Sequence, residues 1–358
     1  MLTNNNSAIT NYKKYRKKRF LFLIVAAACL FVLIVIGVSI GSVRIPLSDL
    51  ISALFGDSDD AYHQIIWKIR MPRVFSAAIA GIALSVSGAV MQSILRNPLG
   101  SPFTLGISGA SAFGAAFGII IIGAGTSQSN AVDAVLIDNH YLVTASAFVF
   151  SIAATFFIFL IARFKGASPE TMILTGIVLT SLFGAGISFL QFIADDVQLS
   201  SIVFWTFGDL GRASWEEFII LTIIVIPALI YFLFKRWDFN AMDSGDELAQ
   251  SLGVNVSKTR LTAMLVASLC TAAAVSFFGI IAFVGLVVPH IVRRIIGGDN
   301  FFLIPGSALF GAVFLLLADT VARSLFSPMV LPVGILTSFL GAPLFLYLLI
   351  KGLGKGYW

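Results

Sequence analysis

Charge is what this chain has least of: Asp, Glu, Lys and Arg make up 11% of its 358 residues, about half the share of an ordinary soluble domain. Cysteine is as scarce. Cys29 and Cys270 each sit inside an apolar run, so neither a disulfide framework nor a thiolate metal site is indicated. The three histidines, His63, His140 and His290, are dispersed, and no His-Glu-x-x-His or Cys/His cluster occurs. A metal-dependent membrane enzyme has little to build on. A phosphate-binding loop is also missing, because "GLGKGYW" at the C-terminus lacks the required glycine spacing and the Ser or Thr. If ATP drives this protein, it is hydrolysed on a separate chain.

What is present is apolar length. Hydrophobic residues make up 58% of the chain, with 33 Phe, in runs of about 18–24 residues, the pattern of bilayer-spanning helices. The fold class expected is an all-α polytopic membrane bundle with spans near 20–40, 66–95, 103–124, 141–163, 171–193, 215–235, 259–279, 281–297, 301–323 and 333–351. The first run follows "KKYRKKR" but is too long for a signal-peptide core, and no cleavage site introduces a soluble domain after it. A basic tail (1–19), one membrane domain (20–351, with a loop at 238–258) and a short C-terminus (352–358) follow from this reading.

Basic residues gather on one side of such a bundle: the N-terminal tail, Arg96, Arg163, Lys165, Lys235, Arg236, Lys258, Arg260, Arg293, Arg294, Lys351 and Lys355. Cytoplasmic loops are enriched in Lys and Arg, so both termini and the 238–258 loop are expected in the cytoplasm. Asp57, Asp59, Asp60, Asp133, Asp138, Asp195 and Asp196 then fall outside. Small residues recur every four positions: Ala77, Gly81, Ser85, Ala89 and Ser93; Gly106, Ala110, Gly114 and Gly118; Gly176, Thr180, Gly184 and Ser188. Such stripes let helix backbones approach, whether inside the bundle, along a pathway or against a second subunit. Pro289 and His290 mark a bend with a structural or gating role. Asp319 and Arg323, four apart, form a structural ion pair or a proton relay.

One stretch, "SGDELAQSLGVNV" at 244–256, reads like soluble protein. Ser244 and Glu247 have capping-box spacing, and Asp246 adds negative charge at the helix start. Leu248, Ala249 and Leu252 form a small apolar face, and Gly253 is placed to end the helix in a left-handed conformation. About eight residues of helix need outside support, from the chain's own bundle or from a partner.

"GDELAQSLGV" resembles the coupling-loop motif of the FecCD-type ABC importer permeases for iron-siderophores and vitamin B12. "IWKIRMPRVFSAAIAGIALSVSGAVMQSILRNPLGSP", "IIAFVGLVVPHIVRR" and "ADTVARSLFSPMVLPVGILTSFLGAPLFLYLL" are similar to further family signatures in family order, across most of residues 64–350. The resemblance implies a BtuC-like permease of about ten transmembrane helices in a bacterial cell membrane. It would pair with itself or a homologous chain, with two ATPase subunits below and a substrate-binding protein above. It implies that Ser244, Asp246, Glu247, Leu248, Ala249, Leu252 and Gly253 form the ATPase-coupling helix. Arg70, Arg73 and Arg323 would meet acidic residues of the binding protein, Ser168 and Glu170 in "KGASPET" would serve the gate, and "FWTFGDLG" would cover the pathway mouth.

Where the family commonly carries an acid before "LPVG", Val330 stands here, which removes a polar contact at that rim. No cofactor is expected on this chain, ATP and Mg being used by the partner ATPase; the lipid bilayer is a partner and nucleic acid is not. The cargo expected is an Fe(III)-siderophore, with haem or a corrinoid as alternatives. An ion-coupled secondary transporter with a midplane site near Gly279 and Pro289 is the rival mechanism.

Overall fold

Small residues decide where the helices of this protein meet. The computed structural model describes residues 2–40, 56, 61–124, 139–325 and 329–352, and every regular element among them is a helix. They are α1 (Leu2–Ser39), α2 (Tyr62–Leu95), α3 (Ile107–Ile120), α4 (His140–Lys165), α5 (Pro169–Ile193) and α6 (Asp196–Thr206), then α7 (Trp215–Asp243), α8 (Asp246–Ser251), α9 (Val256–Phe278), α10 (Val284–Ile296), α11 (Asn300–Leu325) and α12 (Val333–Gly352). Asp57, Asp59, Asp60, Asp133, Asp138 and the tail 353–358 lie outside the described residues.

The fold is an all-α polytopic membrane bundle, with a helix at each of the ten expected positions. Seven of them, α1, α2, α4, α5, α7, α9 and α11, are long and apolar enough to cross a bilayer. The fourteen residues of α3 reach only about 21 Å at 1.5 Å per residue, short of a hydrocarbon core of about 30 Å. The chain leading to it, 100–106, is therefore irregular, and it is tolerated because it is buried or half-buried. Its polar groups are met locally: Thr104 Oγ1 donates to the Ser101 carbonyl at 2.7 Å and accepts the Ser101 N–H at 3.1 Å.

Almost entirely buried, α2 is the axis around which α7, α9, α10 and α11 pack. Its stripe of small residues explains why. A methyl group at Gly81 would lie 2.8 Å from the Gly311 carbonyl carbon, and Ser85 Oγ donates to the Ser307 carbonyl at 2.8 Å, so α11 crosses there backbone to backbone. At Gly88 an added methyl would overlap the Gly285 carbonyl of α10. The α3 stripe turns from α5 to α4: Gly106 meets Gly176 and Thr180, while Gly114 packs against Ser146 and Ala147. The α5 stripe divides: Gly176 abuts Leu105, whereas no atom from another helix or loop among the described residues lies within 4 Å of a methyl placed on Gly184.

The expected break near Gly279 is present, between α9 and α10. Gly208 and Gly279, both at positive φ (68° and 76°), and Gly334 let residues 205–208, 279–281 and 333–334 touch along their backbones. Two hydrogen bonds fix the contact: Asp209 N–H to the Phe278 carbonyl at 2.8 Å, and Gly334 N–H to the Gly208 carbonyl at 2.9 Å. "FWTFGDLG" thus spans the end of α6 and this junction.

Candidate functional site

The sequence-marked helix exists as α8, six residues between the ends of α7 and α9. Its start differs from the capping box read in the sequence. Ser244 is not the N-cap: α7 runs on to Asp243, so Ser244 has helical φ/ψ (−84°, −6°) and closes α7, its Oγ donating back to the Asn240 carbonyl at 3.4 Å. An N-cap side chain needs extended backbone, and Gly245 at φ 121° takes that place without a side chain. The far end is as expected. Gly253 at φ 86° donates to the Gln250 carbonyl at 2.9 Å while Val254 N–H reaches the Ala249 carbonyl at 3.0 Å, a Schellman closure.

The apolar face is divided between two sides. Ala249 is fully buried in the chain's own core, whereas Leu248 and Leu252 are 50% and 66% exposed, beside exposed Glu247. Asp246 serves the bundle: its Oδ1 and Oδ2 lie 2.7 and 3.0 Å from Arg260 Nη2. Arg260 is 2% exposed. Its Nε donates to the Ile94 carbonyl and its Nη1 to the Ala167 carbonyl, both at 2.7 Å. One guanidinium thus joins α8, the last turn of α2 and the turn between α4 and α5.

The turn between α4 and α5 holds Ser168 and leads directly to Glu170 of α5. Ser168 is spent on capping α5, its Oγ accepting the Thr171 N–H at 3.2 Å, and Glu170 is exposed in the first turn. A second polar network braces the root of α8. Asn240 Nδ2 donates to Asp299 at 2.9 Å, its Oδ1 accepts the Asn300 N–H at 2.7 Å, and Asn300 Nδ2 donates to Asp243 at 2.9 Å. Ser93 of α2 donates to Asp243 at 3.2 Å, and Arg19 of α1 pairs with Asp299 at 3.0 Å. The end of α7, from which α8 hangs, is therefore tied to α1, α2 and α11.

The three arginines expected to face a partner turn inward at the opposite end of the bundle. Arg70, Arg73 and Arg323 are 4%, 9% and 7% exposed. Arg73 makes two hydrogen bonds to Asp319 Oδ1, at 2.8 Å from Nη2 and 3.0 Å from Nε, and approaches Asp209 at 3.4 Å; Arg323 Nε lies 3.0 Å from Asp319 Oδ2. Arg70 donates to the Val38 and Ser39 carbonyls, both at 2.8 Å, and Arg323 to those of Gly37 and Ile40 at 3.1 and 3.2 Å. The last carbonyls of a helix lack partners within it, and these arginines supply them to α1. As placed here they brace the bundle.

Sequence reasoning named Arg260 only among the basic residues and did not single out Asp209, Asn240, Asp243, Asp299 or Asn300 for a site. Ser93, at the end of the α2 stripe, was the one visible pointer to the second network.

The chain matches the FecCD transport family over residues 29–351. It is 53% identical to a putative ABC transporter permease protein of Methanocaldococcus jannaschii, covering 95% of this chain and 97% of that one. It is 40% identical to the hemin transport system permease protein of Yersinia pestis, covering 82% and 85%. Among solved structures it is similar to an inward-facing putative metal-chelate type ABC transporter, at 31% identity and a TM-score of 0.80, over 92% of this chain and 98% of that one. On this match the chain belongs to the FecCD transport family.

Proposed function

We propose that this chain is the permease subunit of an ATP-binding-cassette importer that passes an Fe(III)-siderophore complex, handed over by an extracytoplasmic binding protein, through a bacterial cell membrane. The observation that carries the reading is α8, a braced helix presenting Glu247, Leu248 and Leu252 outward at the end of the bundle where basic residues collect. Positive residues favour the cytoplasm, which supports a cytoplasmic side for α8 and both termini, where ATPase subunits, using ATP and Mg, would dock. A second permease chain, identical or homologous, completes the pathway, and Ser168 and Glu170 stand at its cytoplasmic gate. At the other face the arginine cluster holds the rim that receives the binding protein.

Haem and corrinoids are the alternative cargoes, since relatives of 40% and 33% identity are named for hemin and for vitamin B12. The proton-relay role open to Asp319 loses ground, because the acid is held by two arginines. The test is co-expression with the ATPase and binding protein encoded with this permease. ATP-dependent cargo uptake into proteoliposomes is expected, and Glu247→Arg with Leu248→Asp should abolish ATPase co-purification while the permease still inserts. Uptake driven by an ion gradient without ATPase, or unchanged co-purification of the double variant, refutes the reading.

A further inference from the structure

The Arg260 side chain hydrogen-bonds α8, the α2 end and the turn before α5 at once. Two of its three partners are main-chain carbonyls, so a force applied to Asp246 is delivered to backbone and not to a side chain that could rotate away. A guanidinium is planar, and its donors diverge at fixed angles; holding an acid on one edge and carbonyls on two others fixes the relative position of all three segments. Arg260 is itself 2% exposed, so its bond to the Ile94 carbonyl is closed to water, while Asp246, 36% exposed, is the partner nearest solvent. The contact of Ala249 with the core is apolar and non-directional, and the Asn240–Asp243–Asp299–Asn300 network holds the end of α7 without reaching the turn before α5.

We propose that Arg260 is the positioning residue that converts movement of the coupling helix into movement of the 166–168 turn, through Asp246 on one side and the Ala167 carbonyl on the other. The inference deepens the proposed function and rests on it. Helix α8 alone would slide or tilt against α9. With Arg260 in place, α8, the α2 end and the gate turn move as one piece, so displacement of Leu248 and Leu252 reaches Ser168 and Glu170 within a single side chain's length.

The test separates this device from the importer reading. In a Cys29→Ser, Cys270→Ala background, spin labels at Leu248→Cys and at the exposed Lys165→Cys, which leads into the turn, report the distance between α8 and the turn in the full-length permease, diluted with unlabelled chain in lipid nanodiscs. A narrow distribution is expected with Arg260. Arg260→Gln should broaden it, and Asp246→Asn, which leaves both carbonyl bonds in place, should broaden it less. In the assembled transporter Arg260→Gln should keep its ATPase subunits and its ATP hydrolysis while cargo moved per ATP falls by about tenfold. Arg260→Lys, which keeps the charge but not the fork, should fall between. An unchanged distance distribution in Arg260→Gln, or unchanged cargo per ATP, overturns the proposal. Loss of the importer reading would show instead as no ATPase binding by the unmutated chain, and the spin-label result would stand without it.

Discussion

Replacing Asp319 by Asn distinguishes a brace from a docking surface at the arginine cluster. Asp319 is fully buried and faces Arg73 and Arg323, whose side chains are 10% and 7% exposed. Removing its charge leaves two guanidinium groups close together with Asp209 as the remaining acid, 3.4 Å from Arg73 and 32% exposed. Breaking a buried pair by deleting one partner costs about 3–5 kcal/mol, because the charge left behind cannot recover its water. Arg73→Met should cost less than Asp319→Asn, since it leaves Asp319 with Arg323. The double variant should be more stable than the two single costs added together predict.

The protein carries its own reporter of unfolding. Cys270 is 2% exposed, so in a Cys29→Ser background a thiol-reactive dye reads the opening of the core during a thermal ramp. A fall of several degrees in the labelling midpoint is expected for Asp319→Asn, using about 2 °C per kcal/mol for a large domain. An unchanged midpoint combined with weakened binding-protein docking would refute the brace and restore the arginines to the partner interface.

Two further outcomes follow from backbone contacts. Gly88→Ala should destabilise by about 1–3 kcal/mol or more, because its methyl would overlap main chain of Gly285 that no rotamer can clear. Gly109→Ala, whose methyl meets only Phe183 Cβ at 3.9 Å, should be neutral or gain up to about 1 kcal/mol of helix propensity; equal midpoints for the two would contradict the crossing. Gly253→Val should cost about 1–2 kcal/mol of local stability at φ 86°. It should raise hydrogen exchange in α8 without changing the global midpoint, and unchanged exchange there would show that Gly253 does not hold the helix end.

The span positions and most of the packing were legible because both depend on composition along one helix. Gly81, Ser85 and Gly114 meet other helices where the four-residue stripes placed them. The α8 segment was legible for the opposite reason, being the one polar, turn-bounded stretch in an apolar chain. Its cap was misread because S-x-x-E is a local pattern, whereas the true boundary depends on α7 continuing through Asp243 before Gly245 turns the chain. Arg260 was invisible for a different reason. Its carbonyl partners lie 166 and 93 residues away, and main-chain acceptors leave no trace in side-chain identity. Arg70, Arg73 and Arg323 fell between these cases, since a basic residue near a membrane surface can reach away to water or inward to a helix end, and sequence position is the same for both.

The capping of α1 also sets an order of events during synthesis. Arg70 follows the carbonyls it binds by 31 and 32 residues, so it can reach them soon after α1 enters the membrane. Arg323 follows Gly37 by 286 residues, a delay of roughly 15–60 s at about 5–20 residues per second of translation. Until then the last turn of α1 holds one cap of two, and Asp319 has not been made. A chain that stops short of α11 cannot close this end of the bundle, so the α1 terminus stays open for membrane quality control to detect.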